Sequence, residues 1–258
     1  MADKERNALI PLPSGGLENI GSGPKSILSG MVSDALALVR VREKSLAAAR
    51  FRIGEYEFRD PDYRQILIWA KALGIEPEDF INRLQDDCFT ESEKYLWLGN
   101  FEAGLEVEDG SILSLLWDFK DFPISSFEWV DGLRIKRLGF WGVASTKILL
   151  RLPSLNFLGC ACCGLTELDL SAVPALTELS CGGNQLVELD LSMVPALTEL
   201  GCYSNQLVKL DLSTVPALIE VRCGCNQLVE LDIRPLEKLT EFSCDPSVTL
   251  KKLPTQNF

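Results

Sequence analysis

Residues 176–196, 197–217 and 218–238 read LTELSCGGNQLVELDLSMVPA, LTELGCYSNQLVKLDLSTVPA and LIEVRCGCNQLVELDIRPLEK, one pattern returning every 21 residues. A period of that length is the mark of a solenoid, in which each turn leaves its apolar face open until the next turn stacks on it. Architecture is therefore strongly constrained from about Leu155 onward. A repeat scaffold states that a surface exists, not what lands on it.

The columns Leu176/Leu197/Leu218/Leu239, Leu179/Leu200/Val221/Phe242 and Cys181/Cys202/Cys223/Cys244 are separated by three and then two residues. The last two columns thus share one face of a short strand, and successive turns predict a parallel sheet with strands about 4.8 Å apart. Asn184, Asn205 and Asn226 follow where the chain must bend, positioned to satisfy backbone groups orphaned there, so an asparagine ladder is expected. The second half reads LxxLDLS and closes on Val-Pro, as at Val194-Pro195. Proline holds the residue before it extended, so the return side should be extended or turn-like and not helical.

The pattern LxxLxCxxNxLxxLDLS resembles the short, nested bacterial leucine-rich repeat of the IRREKO kind. An earlier copy, LNFLGCACCGLTELDLSAVPA at 155–175, fits except for Cys163 in the Asn column. A degenerate copy begins near Ile135, with Leu138 and Phe140 in the strand columns and Val143 in place of Asn. The last, from Leu239, keeps Phe242 and Cys244, loses the Asn, and is read with one extra residue before Leu250. Degenerate ends suit turns that cap a core. The resemblance covers roughly the last half of the chain and implies a non-enzymatic binding scaffold whose exposed strand face meets a partner.

The fold class expected is α+β, a small helical N-terminal unit followed by a leucine-rich-repeat solenoid with a parallel β-sheet and a return side largely without helices. The domains are read as a polar arm at 1–24, a helical unit at 25–108, an aromatic-rich cap at 109–134, and a solenoid of about six repeats at 135–258. Within the arm, Gly23-Pro24-Lys25-Ser26 brushes the phosphate-binding loop, but Pro24 separates the glycine from the lysine that must reach phosphate. Ile27, Leu28, Met31, Val32, Ala35, Leu36 and Val39 recur at helical spacing, so 25–40 is an amphipathic helix that packs on its neighbours or docks on a partner. An extended piece at Phe51–Phe58 leads to Asp60-Pro61, a helix start, and that helix stops at Gly74. Another begins at Pro77 and buries Phe80, Ile81 and Leu84, and Thr90-Glu91-Ser92-Glu93 is a capping box before Tyr95 to Leu98. Trp117, Phe119, Phe122, Phe127 and Trp129 would cover the open apolar end of the solenoid.

Charge and residue types exclude much. A net charge of −12 and a sequence pI near 4.6 argue against nucleic acid and against an anionic membrane surface. No stretch has transmembrane length and the first thirty residues do not read as a signal peptide, so a cytoplasmic location is expected. Five of the nine cysteines (Cys160, Cys181, Cys202, Cys223 and Cys244) form the inward column, where they act as small buried hydrophobes suited to a reducing compartment. The chain has no histidine, which removes Ser-His-Asp and Cys-His catalysis together with histidine metal sites. Cys160-Ala161-Cys162-Cys163 and Cys223-Gly224-Cys225 invite a zinc reading, but alternation sends Cys160 inward and Cys162 outward, and Cys225 lies three repeats away. No catalytic residue, metal or cofactor is expected, and Cys162 and Cys225 are the expected reactive thiols.

Glu178, Glu199, Glu220 and Glu241 should stack along the exposed strand face, while Asp169, Asp190, Asp211 and Asp232 recur in the second half. Like charges about 5 Å apart repel, so the glutamate row is either solvated, cation-bound or matched by a basic protein partner. The variable slots of the face hold Trp141, Phe157, Tyr203 and Arg222, and aromatics and arginine are the types that anchor interfaces. The candidate partner-binding set is Arg137, Trp141, Phe157, Glu178, Glu199, Tyr203, Glu220 and Arg222. Two other readings stay open. One is a bacterial effector delivered to host cells with residues 1–24 as export signal; the other is an enzymatic or regulatory helical unit that the repeats target. The partner's identity and the oligomeric state are left undetermined.

Overall fold

Proline and glycine bracket the first helix from opposite ends. The structure, a computed structural model, describes residues 49–85, 104–118, 133–141 and 147–257. Contacts divide the chain into Met1–Leu46 and Ala47–Phe258, and every described residue lies in the second unit. The arm at 1–24, the amphipathic helix at 25–40, the capping box at 90–93, Val143, and the aromatics at 119, 122, 127 and 129 fall outside the described residues.

Strands β1 (Phe51–Ile53) and β2 (Tyr56–Phe58) form an antiparallel hairpin in place of one extended piece. Gly54, at φ 56, supplies the left-handed residue that so tight a turn needs. Helix α1 (Asp60–Leu73) carries Pro in its first turn and Asp60 and Asp62 near its positive end. It stops at Gly74, φ 66, where the N–H of Gly74 donates to Lys71 O and that of Ile75 to Ala70 O. Ile66, Trp69 and Ala70 are buried along one stripe of α1, and helix α2 (Pro77–Gln85) buries Phe80, Ile81 and Leu84, as its spacing predicts.

Strand β3 (Leu105–Glu108) runs antiparallel to β4 (Ser111–Asp118), and β4 opens the parallel ladder of the solenoid. Buried Asp62 accepts the Ile112 N–H at 2.8 Å, and burial pushes its carboxyl above the usual aspartate range. Arg50, at 2.9 Å, and Arg59 both hold the Asp109 carboxylate at the β3–β4 turn. Trp117 of β4 packs edge-on to Trp69 at 5.2 Å and against Phe80 at 5.1 Å. Three large rings thus close the apolar core at the helical end.

The ladder continues through β5 (Arg137–Trp141), β7 (Phe157–Gly159), β9 (Glu178–Ser180), β10 (Glu199–Gly201), β11 (Glu220–Arg222) and β13 (Glu241–Ser243), all parallel. With β3 and β4 this makes eight strands in one sheet among the described residues. Leu138, Leu158, Leu179, Leu200 and Val221 point inward and are buried, as are Cys160, Cys181, Cys202 and Cys223. Burial pushes the Cys181 and Cys223 thiols up to about 12 and raises those of Cys160 and Cys202 as well, so the column is neutral apolar volume.

The asparagine ladder is built as the spacing requires. Asn205 Nδ2 donates to Cys181 O and Cys202 O, both at 3.0 Å, and Oδ1 accepts the Leu186 N–H at 3.0 Å. Asn184 and Asn226 repeat this one turn either side. Cys163, in the same column, donates its thiol to Phe140 O and Ala161 O. In the last turn Asp245 stands in, accepting the N–H groups of Cys225 and Asn226.

On the return side β6 (Lys147–Leu149) pairs with β8 (Glu167–Asp169), and β12 (Glu230–Asp232) pairs with β14 (Thr249–Lys251). The turns between them are irregular and not helical, as the Val-Pro closure implies. The last repeat needs one correction: Leu231 pairs with Leu250, so this turn is two residues shorter than the 21-residue period and has no extra residue. The chain cuts the corner at Asp245-Pro246, with the Val248 N–H returning to Asp245 O. Buried Gln256 then closes the return side, donating to Ile233 O at 2.8 Å and Leu236 O at 3.0 Å. No helix among the described residues is long and apolar enough to cross a membrane.

Candidate functional site

Parallel register turns the outward residue of each strand into a row across the sheet. The first row reads Ser114, Arg137, Phe157, Glu178, Glu199, Glu220 and Glu241, each the partner of the next. The second row, two residues on, holds Leu116, Gly139, Gly159, Ser180, Gly201, Arg222 and Ser243. One backbone pattern therefore carries two different surfaces.

Toward the helical end the outer face is closed. Ser114, Leu116 and Phe157 are 0%, 4% and 3% exposed, and Gly159 is buried. Phe157 is therefore not the exposed anchor that alternation predicts; its ring lies under the Arg137 guanidinium, 4.6 Å from the ring centre. Arg137 also reaches Glu178 at 4.0 Å. Trp141 contributes backbone to β5, and its side chain lies outside the described residues.

From β9 onward the face is open. Glu199, Arg222, Glu241 and Ser243 are exposed, and Glu178, Ser180, Gly201 and Glu220 are partly so. Arg222 bonds Glu220 on its own strand at 2.9 Å and Glu241 on the next at 3.4 Å. The repulsion expected along the glutamate row is thus offset at both ends by arginines of the same face. Between them stands Glu199, with no lysine or arginine within ion-pair distance among the described residues. Partial removal from water, and after it the charge of Glu178, raises its carboxyl above the usual glutamate range. Partial burial likewise raises Glu220, with Arg222 pulling the other way.

Tyr203 is half-buried because its ring lies over the backbone of Gly182, where an added Cβ would come within 2.7 Å of the ring. Burial raises its phenol above the usual tyrosine range. The need for Gly182 under Tyr203 is a contact between turns that the repeat pattern does not announce. Gly201 belongs to the site as well, although its residue type carries no signal: a Cβ there would make ordinary van der Waals contact, 3.8 Å from Leu179 O and Ser180 Oγ, so nothing forbids a side chain and its absence leaves a gap in the row.

The aspartate column has a different role from the glutamate row. Oδ1 of Asp169, Asp190 and Asp211 accepts the N–H two residues on at 2.9 Å, and Asp232 does the same at 3.1 Å. These Asx turns hold the carboxyls below the usual range, Asp232 at about 2 beside the Arg234 guanidinium. Cys162 and Cys225 are exposed at left-handed turn positions, φ 54 and 56, and do not converge with other ligands. Among the described residues no group of three or more Cys, Asp or Glu is arranged to hold a metal. A return-side cleft of about 550 Å³ is lined by Leu168, Val187, Met193 and neighbouring carboxylates, and none of the candidate face residues lines it.

No family model matches the chain, and no curated protein matches it. Among solved structures, the functional domain of InlJ from Listeria monocytogenes, which includes a cysteine ladder, is 24% identical over 56% of this chain and 44% of its own, with a TM-score of 0.42. The internalin InlF of the same species is 20% identical over 55% of this chain and 44% of its own, with a TM-score of 0.44. Internalin C2, also from that species, is 23% identical over 74% of this chain and 94% of its own, with a TM-score of 0.35. The chain spans less than half the length of the first two.

Proposed function

We propose that this chain is a non-catalytic protein-interaction scaffold that binds a partner protein through the open outer face of β9 to β13. The observation that carries the reading is the in-register row Glu178, Glu199, Glu220 and Glu241, held on a sheet whose backbone is already ordered. A preordered surface loses little entropy on binding, so modest contacts suffice. In this reading the segment 109–134 serves as the cap of the solenoid, 135–258. A cytoplasmic location belongs to the same proposal, because a reducing compartment keeps a thiol column as packed apolar volume.

The test is affinity capture from a bacterial lysate with the full chain and with Gly201→Trp, which places an indole in the middle of the open face. A partner held by the native chain and lost by the variant supports the face. Recovery of the same partner by the variant would move recognition elsewhere.

A further inference from the structure

We infer that the open face carries a specific seat for an arginine of a basic partner segment, with the guanidinium on Glu199 and the aliphatic stem lying across Gly201 against Tyr203. This deepens the proposed function and rests on its assignment of the face. Four observations converge on the position. Glu199, Gly201 and Tyr203 follow one another at outward positions of one strand and its exit turn, so carboxylate, gap and ring lie in line. The gap is that of a missing side chain, since a Cβ at Gly201 would sit without clash in ordinary contact, 3.8 Å from Leu179 O and Ser180 Oγ.

Arg222, the residue paired with Gly201 on the next strand, is drawn away toward Glu220 and Glu241 and leaves the slot clear. The Tyr203 ring leans the other way, over Gly182, and so forms a wall without filling the slot. Charge complementarity selects the occupant. Glu178 and Glu220 flank Glu199 on both sides and each is paired with an arginine of this chain, whereas Glu199 makes no ion pair among the described residues and feels Arg222 and Arg137 only from farther off.

Arginine fits better than lysine because its planar fork can take both carboxylate oxygens while its methylenes cover the glycine and the tyrosine edge. Exposed pairs are screened by salt, so the seat contributes selectivity to a larger contact and not its whole affinity.

The probe is the blocked tripeptide acetyl-Gly-Arg-Gly-amide, titrated into the full-length ¹⁵N-labelled chain at low salt, with the neutral isostere acetyl-Gly-citrulline-Gly-amide as control. The expected result is saturable shifts of the Gly201 and Tyr203 amides with the arginine peptide and none with citrulline. Glu199→Gln is expected to weaken the titration by about tenfold, the scale of one charge-assisted hydrogen bond. Gly201→Val, which fills the slot and alters no charge, should abolish it, and Glu188→Gln on the return side should leave it unchanged. The seat is refuted by shifts at Gly201 that titrate as tightly in Glu199→Gln as in the native chain or that appear with citrulline. It is equally refuted by shifts no larger there than beside Glu167 and Glu188, or by no shifts at all. None of these outcomes touches the capture test with Gly201→Trp, so the seat can fail while the face stands.

Discussion

The two sides of the coil share one 21-residue period and hold it by different means. On the strand side β7, β9, β10, β11 and β13 pair without a break, and the asparagine amides bond across turns at the bend. On the return side only the end turns pair as strands among the described residues, and each turn is closed within itself by an aspartate. The first arrangement couples a turn to its neighbours throughout, whereas the second does so in the middle turns only where the chain leaves the bend, as the Gln206 N–H donates to Leu186 O, and the aspartates act within their own turn. The same number of altered atoms should therefore cost more on the strand side.

Asn205→Ala is the sharpest way to break that contrast. It leaves the Leu186 N–H without its buried partner and takes one of two donors from Cys181 O and Cys202 O, which keep Asn184 and Asn226. At roughly 1–3 kcal/mol for the orphaned N–H, with a smaller loss at the two carbonyls, the cost should be about 2–3 kcal/mol and be visible as a lowered urea midpoint. Asp190→Ala removes one exposed turn bond and should shift the midpoint far less. Comparable losses from the two would sink the distinction between coupled and local sides.

Cys202→Ser comes next. The sulfur lies in a fully buried column, and a hydroxyl there finds apolar neighbours above and below. The expected cost is about 1–3 kcal/mol, with Cys202→Ala milder, since alanine buries no polar atom. Thiol labelling of the folded chain separates the same two environments, with Cys162 and Cys225 reacting first, the partly buried Cys244 of the last turn after them, and Cys160, Cys181, Cys202 and Cys223 only on unfolding.

The features that period and capping chemistry determine can be read from the residues themselves. Leu179, Leu200 and Val221 point inward, Asn205 bridges turns, α1 runs from Asp60 to the glycine stop, and α2 buries Phe80, Ile81 and Leu84. Alternation, however, assigns a direction and says nothing of what lies over it. Phe157 points outward and is covered, while Glu199 points outward and is open. The pairing of Arg222 with two glutamates depends on rotamers, and Gln256 caps the last turn at a position outside any period. The shortened last turn escapes an alignment of Leu250 by residue type, because the register follows the bend at Asp245-Pro246.

Gly182→Ala probes coupling on the outer face of the strand side. The new methyl meets the Tyr203 ring at 2.7 Å, and a half-buried ring can swing out, so the cost should be only about 1 kcal/mol. Pairing it with Tyr203→Ala should recover most of that loss, because the clash requires both partners. A double-mutant cycle with no coupling would mean that ring and glycine do not meet in solution.

The smallest effects are ionic, and here the rows of the two sides carry opposite signs. The aspartates titrate below their usual value in the folded chain, so the unfolded chain takes up protons first as pH falls. Their contribution is present above the ordinary aspartate range and is lost as pH drops through the lowered folded values. Glu199 and Glu220 titrate above the usual glutamate value, so the folded chain keeps its protons longer. Stability from this row declines as pH rises from the ordinary glutamate value through the raised ones. Urea midpoints against pH should therefore show Glu199→Gln slightly more stable than the native chain at neutral pH and equal to it in acid. High salt should narrow the gap, since the repulsion it relieves lies at an exposed face. A Glu199→Gln chain less stable at neutral pH would mean that the native carboxylate already has a partner within the fold, and the row would then be a structural ladder in place of a binding surface.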